Sequence, residues 1–127
     1  MKLISKEYVK LNKNATVAEA ITKLLSSKLT EGYVVEKGDV LLGKISIQAL
    51  INASSEGTIK GLIDKDPVSI KDDASLQQAI EVASNFIGET MPIINRSSGK
   101  IIGVVNEGDL FKLYLSTQSK IVDLEKS

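Results

Sequence analysis

The hydrophobic and polar positions of this chain follow the same order twice. Each copy contains four segments in the same order. A short β-branched run comes first, then apolar residues at helical spacing, then two almost wholly apolar stretches around a turn, and finally a second helical pattern. Residues 9–36 align with residues 68–95 at an offset of 59 residues, with four identities among 28 positions. Further apolar positions match, and one residue of slippage in the following turn raises the offset to 60, which aligns Gly43 with Gly103. This shared pattern predicts two copies of one β-α-β-β-α unit.

Both copies open their first helix with the same capping signal. Thr16 precedes Glu19 by three residues and Ser75 precedes Gln78 by the same spacing, so each pair can satisfy two backbone N–H groups at the helix start. The apolar residues that follow are Val17, Ala20, Ile21, Leu24 and Leu25 in the first copy, and Leu76, Ala79, Ile80, Ala83 and Phe86 or Ile87 in the second. At this spacing each set forms one stripe, which we expect each helix to bury.

Glycine-containing turns separate the later strands of each copy. The turns at 37–39 and 97–99 lie between apolar runs, a pattern typical of hairpins. The predicted strands are 33–35 with 40–42 in the first copy, and 92–94 with 101–102 in the second. Strands this apolar are expected to be covered by helices on at least one face.

The two units divide the chain near a polar stretch. A second helix closes the first copy from 47 to about 54 and the second from 107 to about 116, and a short helical turn at 58–63 links the units. We assign 1–57 to the first repeat and 58–127 to the second, which includes this linker turn and a polar C-terminal tail that extends the last helix or frays. One unit alone buries too little surface to be stable. We therefore predict an α/β (α+β) fold with the repeats packed sheet to sheet.

Composition and charge narrow the range of functions. The chain is 43% hydrophobic and 25% charged, as in folded globular proteins. Basic and acidic residues number 16 each, so no net charge attracts nucleic acid, and we predict no nucleic-acid partner. The sequence has neither the apolar core of a signal peptide nor a stretch long enough to span a bilayer. We expect a soluble, cytoplasmic protein or the cytosolic piece of a larger one.

The chain contains neither cysteine nor histidine, which removes several chemistries. Disulfides, thiolate metal sites and cysteine nucleophiles are excluded, as are the commonest general base and the usual ligands of zinc. The glycines lack the spacing of a phosphate-binding loop, and we interpret Asp64, Asp66, Asp72 and Asp73 as solvated turn residues. We predict a non-catalytic protein without a metal or cofactor. A nucleotide hydrolase or transferase is the enzyme alternative.

The second copy carries the most informative stretch. Pro92-Ile93-Ile94-Asn95, a glycine turn and then residues 103–110, which read GVVNEGDL, together resemble the CBS domain. Two such units in tandem, from about Ile4 to Tyr114, are similar to a CBS pair, or Bateman module. The resemblance implies two repeats related by a pseudo-two-fold axis, and a homodimer that regulates an enzyme, channel or transporter. It also implies that AMP, ADP, ATP or sometimes S-adenosylmethionine binds in two clefts between the repeats.

In that family a Gly-x-x-Thr/Ser-x-x-Asp stretch places an aspartate on the ribose and a hydroxyl on the phosphate. Asp109 matches the aspartate, and Asn106 replaces the hydroxyl residue. Asn106 follows a strand and opens a helix, where free N–H groups favour phosphate, and a carboxylate one turn later can accept two hydrogen bonds from a diol. A structural interpretation remains open as well, with Asn106 as an N-cap and Asp109 as a capping carboxylate.

The first copy departs from the motif. Its equivalent stretch keeps a hydroxyl at Ser46 but has Ala49 in place of the aspartate, and a methyl group cannot hold a ribose diol. We therefore predict one adenine-nucleotide site, centred on Asp109, with a base-contacting wall from the first repeat. By this correspondence the ligand-binding residues are Asp109, Asn106, Val104, Gly108, Ser5, Glu7, Leu29, Thr30 and Ser46. Leu29 has an equally good interpretation as a core residue.

Three further alternatives remain open. The module can be a purely structural dimerisation unit with degenerate clefts, which the alanine at position 49 and the asparagine at position 106 both favour. It can also be the cytosolic tail of a transporter, because residues 109–115 are similar to the way some chloride-channel tails end. Tyr33, which replaces the proline of the second copy, either stacks on a base or packs in the interior.

Overall fold

A computed structural model describes residues 4–54, 56–86 and 90–126, the last ten of them as backbone alone. Their order is β-α-β-β-α twice, with a short 3-10 helix between the units, as the sequence predicts. The elements are β1 (Val9–Asn12), α1 (Val17–Ser27), β2 (Glu31–Glu36), β3 (Val40–Ser46), α2 (Ile47–Ile51), a 3-10 helix (Lys60–Leu62), β4 (Ile70–Lys71), α3 (Leu76–Ala83), β5 (Thr90–Ile94), β6 (Ile101–Asn106) and α4 (Glu107–Lys126).

Each repeat builds one three-stranded sheet of the same topology. The orders are β1-β2-β3 and β4-β5-β6, with the first pair parallel and the second antiparallel in both. A β-bulge interrupts each antiparallel pair, between Val34 and Val35 in one sheet and between Ile93 and Ile94 in the other. The duplication therefore extends to the irregularities of the fold.

The first helix of each repeat begins at the predicted residue. Ser75 and Gln78 form a complete capping box, whereas in α1 Thr16 accepts from the Glu19 N–H without the reciprocal bond among the described residues. The predicted stripe of α1 is wrong at its end, because Leu25 is 62% exposed. The other four residues of that stripe are buried or half-buried.

The ends of the later helices agree with the prediction only in part. The second helix of the first repeat stops at Ile51, earlier than predicted. The last helix, α4, continues through the polar tail to Lys126, which is one of the two predicted alternatives. In the stripe of α3 the choice between Phe86 and Ile87 is settled only in part: Phe86 is buried, and Ile87 lies outside the described residues.

Two of the three core clusters lie inside the repeats, and the third lies between the sheets. The third contains Tyr33 of β2 with Ile101 and Val104 of β6, flanked by Tyr8, Val35 and Leu41. The backbone continues this contact, since Leu41 donates to the Gly99 carbonyl and Ile101 to the Asp39 carbonyl, both at 3.0 Å. The predicted sheet-to-sheet packing of the repeats is confirmed.

The segment that leads into each repeat crosses to the third strand of the other repeat. Ser5 and Val104 exchange backbone hydrogen bonds of 2.8 and 2.9 Å, and Asp64 and Lys44 exchange bonds of the same two lengths. Ser5 corresponds to Asp64 at an offset of 59 residues, and Lys44 corresponds to Val104 at an offset of 60. This crossed pairing reflects the pseudo-two-fold relation of the repeats.

A glycine makes each crossing possible. A Cβ atom on Gly43 would overlap the Asp64 carbonyl oxygen, and one on Gly103 would lie 2.7 Å from the Ser5 carbonyl oxygen. Neither distance is compatible with a side chain unless the crossing segment moves. The two equivalent glycines are therefore required for close approach of backbone to backbone.

Candidate functional site

The first cleft between the repeats is a cavity of about 400 Å³. Its lining comes from β2, β3 and α2 of the first repeat, and from the linker and the segment that follows α3 in the second. The lining residues are Glu31, Lys44, Ser46, Ala49, Leu62, Asp64, Asp66, Pro67, Val68 and Phe86. Ser46 accepts from the Ala49 N–H and so caps α2, as its hydroxyl is expected to do.

A lysine spans the first cleft. The Lys44 ammonium lies 2.6 Å from a Glu31 carboxylate oxygen, donates to the Thr90 carbonyl at 3.2 Å and sits 5.0 Å from the centre of the Phe86 ring. The side chains of Lys44 and Glu31 are only 11% and 17% exposed. Because Thr90 and Phe86 belong to the second repeat, this one cation ties the two repeats together.

The repeat offset relates the lining of the first cleft to the second. The equivalents of Asp64, Asp66, Lys44, Ser46 and Ala49 are Ser5, Glu7, Val104, Asn106 and Asp109, in that order. Five of the predicted site residues therefore occupy positions whose counterparts face a cavity. The electrostatic character of the two clefts differs, because Val104 stands where the first cleft has its bridging lysine.

Two of the predicted site residues lie at the start of α4 in different environments. Asn106 is the N-cap: its Oδ1 accepts from the N–H groups of Gly108 at 2.7 Å and Asp109 at 3.3 Å. This leaves the Asn106 side-chain NH₂ as a donor. Asp109 is exposed, and within the described residues no hydrogen bond or ion pair engages its carboxylate. The N-cap interpretation of Asn106 is confirmed, whereas Asp109 does not act as its capping partner.

The described contacts of the remaining predicted residues are with other parts of the chain. The Ser5 hydroxyl accepts from the N–H of Glu7 at 3.0 Å, and Glu7 is exposed. Leu29 packs against the core of the first repeat, and the Thr30 carbonyl accepts from the Ile47 N–H at 2.8 Å, at the start of α2. The described contacts do not bring Leu29 or Thr30 to Asp109, and their role in ligand binding stays a prediction.

The repeat offset places two further residues at the second cleft, and the sequence-based prediction of the site does not include them. Thr90 is the equivalent of Glu31 and Tyr8 is the equivalent of Pro67, both of which line the first cleft. Burial raises the pKa of the Tyr8 phenol above its ordinary value, with nearby Lys10 opposing the shift, so Tyr8 carries a neutral hydroxyl. Once the lining of the first cleft is known, the repeat offset identifies both residues in the sequence.

Tyr33 takes the packing role rather than the stacking one. Its side chain is 1% exposed, its ring meets Tyr8 edge-to-face at 5.9 Å, and its hydroxyl lies 2.7 Å from the Thr90 Oγ1. A base cannot reach a ring in this position. Tyr33 instead fixes the sheet interface and holds Thr90.

No group of acidic side chains in the described part of the chain is arranged to hold a metal ion. Among the described helices, none is long and apolar enough to cross a bilayer.

Comparison with known sequences gives a match over almost the whole chain. The CBS domain family matches it twice, at residues 2–56 and 59–116. The inosine-5'-monophosphate dehydrogenase of Nitrosopumilus maritimus (strain SCM1) is 26% identical over 100 residues, which are 79% of this chain and 21% of that enzyme. The chain thus spans about a fifth of that relative.

Solved structures show the same fold. The cytosolic domain of the Mg²⁺ channel MgtE, in complex with ATP, has a TM-score of 0.79 at 21% identity over 87% of this chain and 46% of the other. CBSX2, a CBS-pair protein of Arabidopsis thaliana, has in its complex with AMP a TM-score of 0.75 at 17% identity, covering 92% and 96%. At these identities the likeness is one of fold.

Proposed function

This chain belongs to the CBS domain family and carries two copies of the domain as a CBS pair, and from that premise we propose that it senses an adenine nucleotide for a partner protein. The ligand is AMP, ADP or ATP, held in the second cleft with Asp109 on the ribose. The module performs no chemistry on the nucleotide. It acts in the cytoplasm on an enzyme, channel or transporter, in another chain or in the same one.

The observation that carries the proposal is the exposed Asp109 carboxylate at the start of α4. An ionised carboxylate without a partner in the described chain can accept both hydrogen bonds of a vicinal diol. Three residues earlier, Asn106 uses its oxygen as the cap and keeps its NH₂ to donate to a phosphate. The positive end of a 20-residue helix favours the same anion.

Two similar proteins support the ligand class. The magnesium-channel domain is in complex with ATP and CBSX2 with AMP. Both share the fold of this chain, and both nucleotides carry the ribose that Asp109 would hold. The different phosphate lengths fit the asparagine in this chain, because a neutral amide donor does not select a particular phosphate charge.

Ligand binding would change the joint between the repeats. Asp109 and Asn106 belong to the second repeat, whereas Ser5 leads into the first and is hydrogen-bonded to Val104 at 2.8 Å. A nucleotide bound between these residues would contact both repeats. Binding therefore stabilises one relative orientation of the repeats, and a partner attached to either repeat would experience that change.

Titration calorimetry with AMP, ADP and ATP tests the proposal. We expect one nucleotide per chain for wild type, and for Asp109→Ala a loss of affinity of about tenfold or more, because a charge-assisted hydrogen-bond pair is removed. Glu36→Ala, which removes another exposed carboxylate, is the matched control and should bind as wild type does. An absence of heat for all three nucleotides, or equal affinities of wild type and Asp109→Ala, would refute it.

A further inference from the structure

A second cavity, outside both clefts, has a different chemical character. It measures about 410 Å³ and is lined by Lys13, Leu42, Lys60, Ile63 and Lys65, which we call the lysine cup. We propose that the lysine cup is a docking site for an acidic segment of the regulated partner, which inserts one apolar side chain between the three lysines. The inference rests on the proposed function, since it names the surface by which the partner engages the module.

Three lysines give the cup its positive charge. Lys13 follows β1, Lys60 begins the 3-10 helix and Lys65 lies beyond it, so three separate parts of the chain bring cations to one cavity. All three are exposed, and within the described residues none has an ion pair or a side-chain hydrogen bond. No acidic residue lines the cavity. In a chain with equal numbers of basic and acidic residues, the cup is a local excess of positive charge.

The apolar part of the cup comes from two residues that pack on the first core from outside. Leu42 and Ile63 are both partly buried and both contact that core. Leu42 is the extra residue of the β-bulge, since Leu41 pairs with Val35 and Gly43 pairs with Val34. Bulges redirect side chains at sheet positions used for binding. An apolar side chain can therefore bury itself against Leu42 and Ile63 while its neighbours face the lysines.

The lining favours carboxylates of a peptide over a nucleotide. It contains no aromatic ring on which a base could stack and no arginine fork for bidentate phosphate binding. Lysine ammonium groups on flexible stems adapt to carboxylates at variable positions. An acidic segment with a central apolar residue matches both the charge and the wall of the cup.

The linker connects the cup to the first cleft. Ile63 and Lys65 line the cup, whereas Asp64 and Asp66 line the first cleft. Alternate residues of this segment therefore face the two cavities. Asp64 also pairs with Lys44, the lysine that ties the repeats together. A partner segment docked in the cup therefore contacts the same linker residues, 63–66, that separate the cup from the first cleft.

Fluorescence anisotropy with labelled pentapeptides tests the inference on the full chain without nucleotide. The probe is Glu-Asp-Leu-Glu-Asp, compared with Glu-Asp-Ser-Glu-Asp. For wild type we expect binding that weakens with salt, and about tenfold weaker binding of the serine peptide because the buried side chain is lost. The variant Lys13→Gln/Lys60→Gln/Lys65→Gln should bind the leucine peptide at least about tenfold more weakly.

The control variant carries the same change of charge elsewhere. Lys23→Gln/Lys71→Gln/Lys112→Gln alters three exposed lysines outside the cup and should bind the leucine peptide as wild type does. Equal losses in the two triple variants, equal binding of the two peptides, or no binding at millimolar protein would overturn the inference. Nucleotide titration of the cup variant should match wild type, so failure of the cup and failure of the Asp109 site are separate results.

Discussion

Lys44 and Val104 occupy equivalent positions in the two clefts, and this one difference separates the clefts electrostatically. The ammonium of Lys44 is nearly buried against Glu31 and reaches Thr90 and Phe86 of the other repeat. At the second cleft the aliphatic side chain of Val104 contributes to the sheet interface instead. The first cleft thus contains its own cation, while the second leaves an acceptor exposed at Asp109.

We predict that Lys44→Met lowers the free energy of unfolding by about 2 kcal/mol, because it removes the cation that the nearly buried Glu31 faces. Lys44→Met/Glu31→Gln should recover part of that loss, since the carboxylate that faced the lost ammonium is then replaced by a neutral amide. Urea unfolding of these variants measures both effects.

Lys10→Met is the comparison for that measurement. It removes the pair between Lys10 and Asp39, whose side chains are 45% and 50% exposed, and such solvated pairs contribute little to stability because water screens the charges. Equal destabilisation by Lys44→Met and Lys10→Met would contradict the assignment of Lys44 as an inter-repeat tie.

At the scale of elements, the crossing segments depend on glycine. Gly43→Ala should destabilise the protein by about 1–3 kcal/mol or more, because its Cβ would overlap the Asp64 carbonyl oxygen and force the linker away from β3. Gly61→Ala is the matched control. Nothing lies within 4 Å of a Cβ at that position, and stability should stay the same or rise slightly. Thermal unfolding of the two variants measures the difference. Similar melting temperatures would contradict the requirement for glycine at position 43.

The sequence predicts the elements well because the evidence for them is local. Hydrophobic spacing and the capping residues Thr16 and Ser75 locate α1 and α3, and glycines locate the hairpin turns. The exposure of Leu25 could not be predicted in this way. Its spacing fits the buried stripe, and only the position of the neighbouring helix determines where that stripe ends.

In the candidate site, too, local features were predictable from the sequence and contacts between distant residues were not. Asp109 and Asn106 are recognisable from the motif they belong to, and the cap formed by Asn106 follows from its place between a strand and a helix. The proximity of Ser5 to Val104 depends on a pairing across 99 residues of chain, visible only through the pseudo-symmetry. Thr90 and Tyr8 are missed for the same reason.

At the scale of the whole molecule, two apolar side chains on one repeat remain uncovered. Leu25 of α1 and Ile51 of α2 are 62% and 63% exposed, on helices that contact each other. We propose that a second copy of the chain covers them in a homodimer. Such a surface fits both a sensor and a purely structural dimerisation module, and nucleotide binding at Asp109 is what distinguishes these two functions.

Analytical ultracentrifugation tests the dimer. Wild type should sediment at twice the chain mass of 13.7 kDa, and Leu25→Asp/Ile51→Asp should shift it toward the monomer, because carboxylates cannot be buried without partners. Gln77→Asp adds a carboxylate to the exposed surface of α3 and should leave the dimer intact. A wild-type monomer at all concentrations would contradict the proposal.

The crossed pairing of leading segments has a consequence for assembly. The third strand of each repeat pairs with the segment that leads into the other repeat. If the two repeats separate, the edges of β3 and β6 are exposed. Each edge can then pair with the corresponding leading segment of another copy. Strand exchange between two opened chains would restore every lost hydrogen bond and yield an intertwined, domain-swapped pair. Refolding at high protein concentration would favour that entangled form, and dilution before refolding would favour chains that close on themselves.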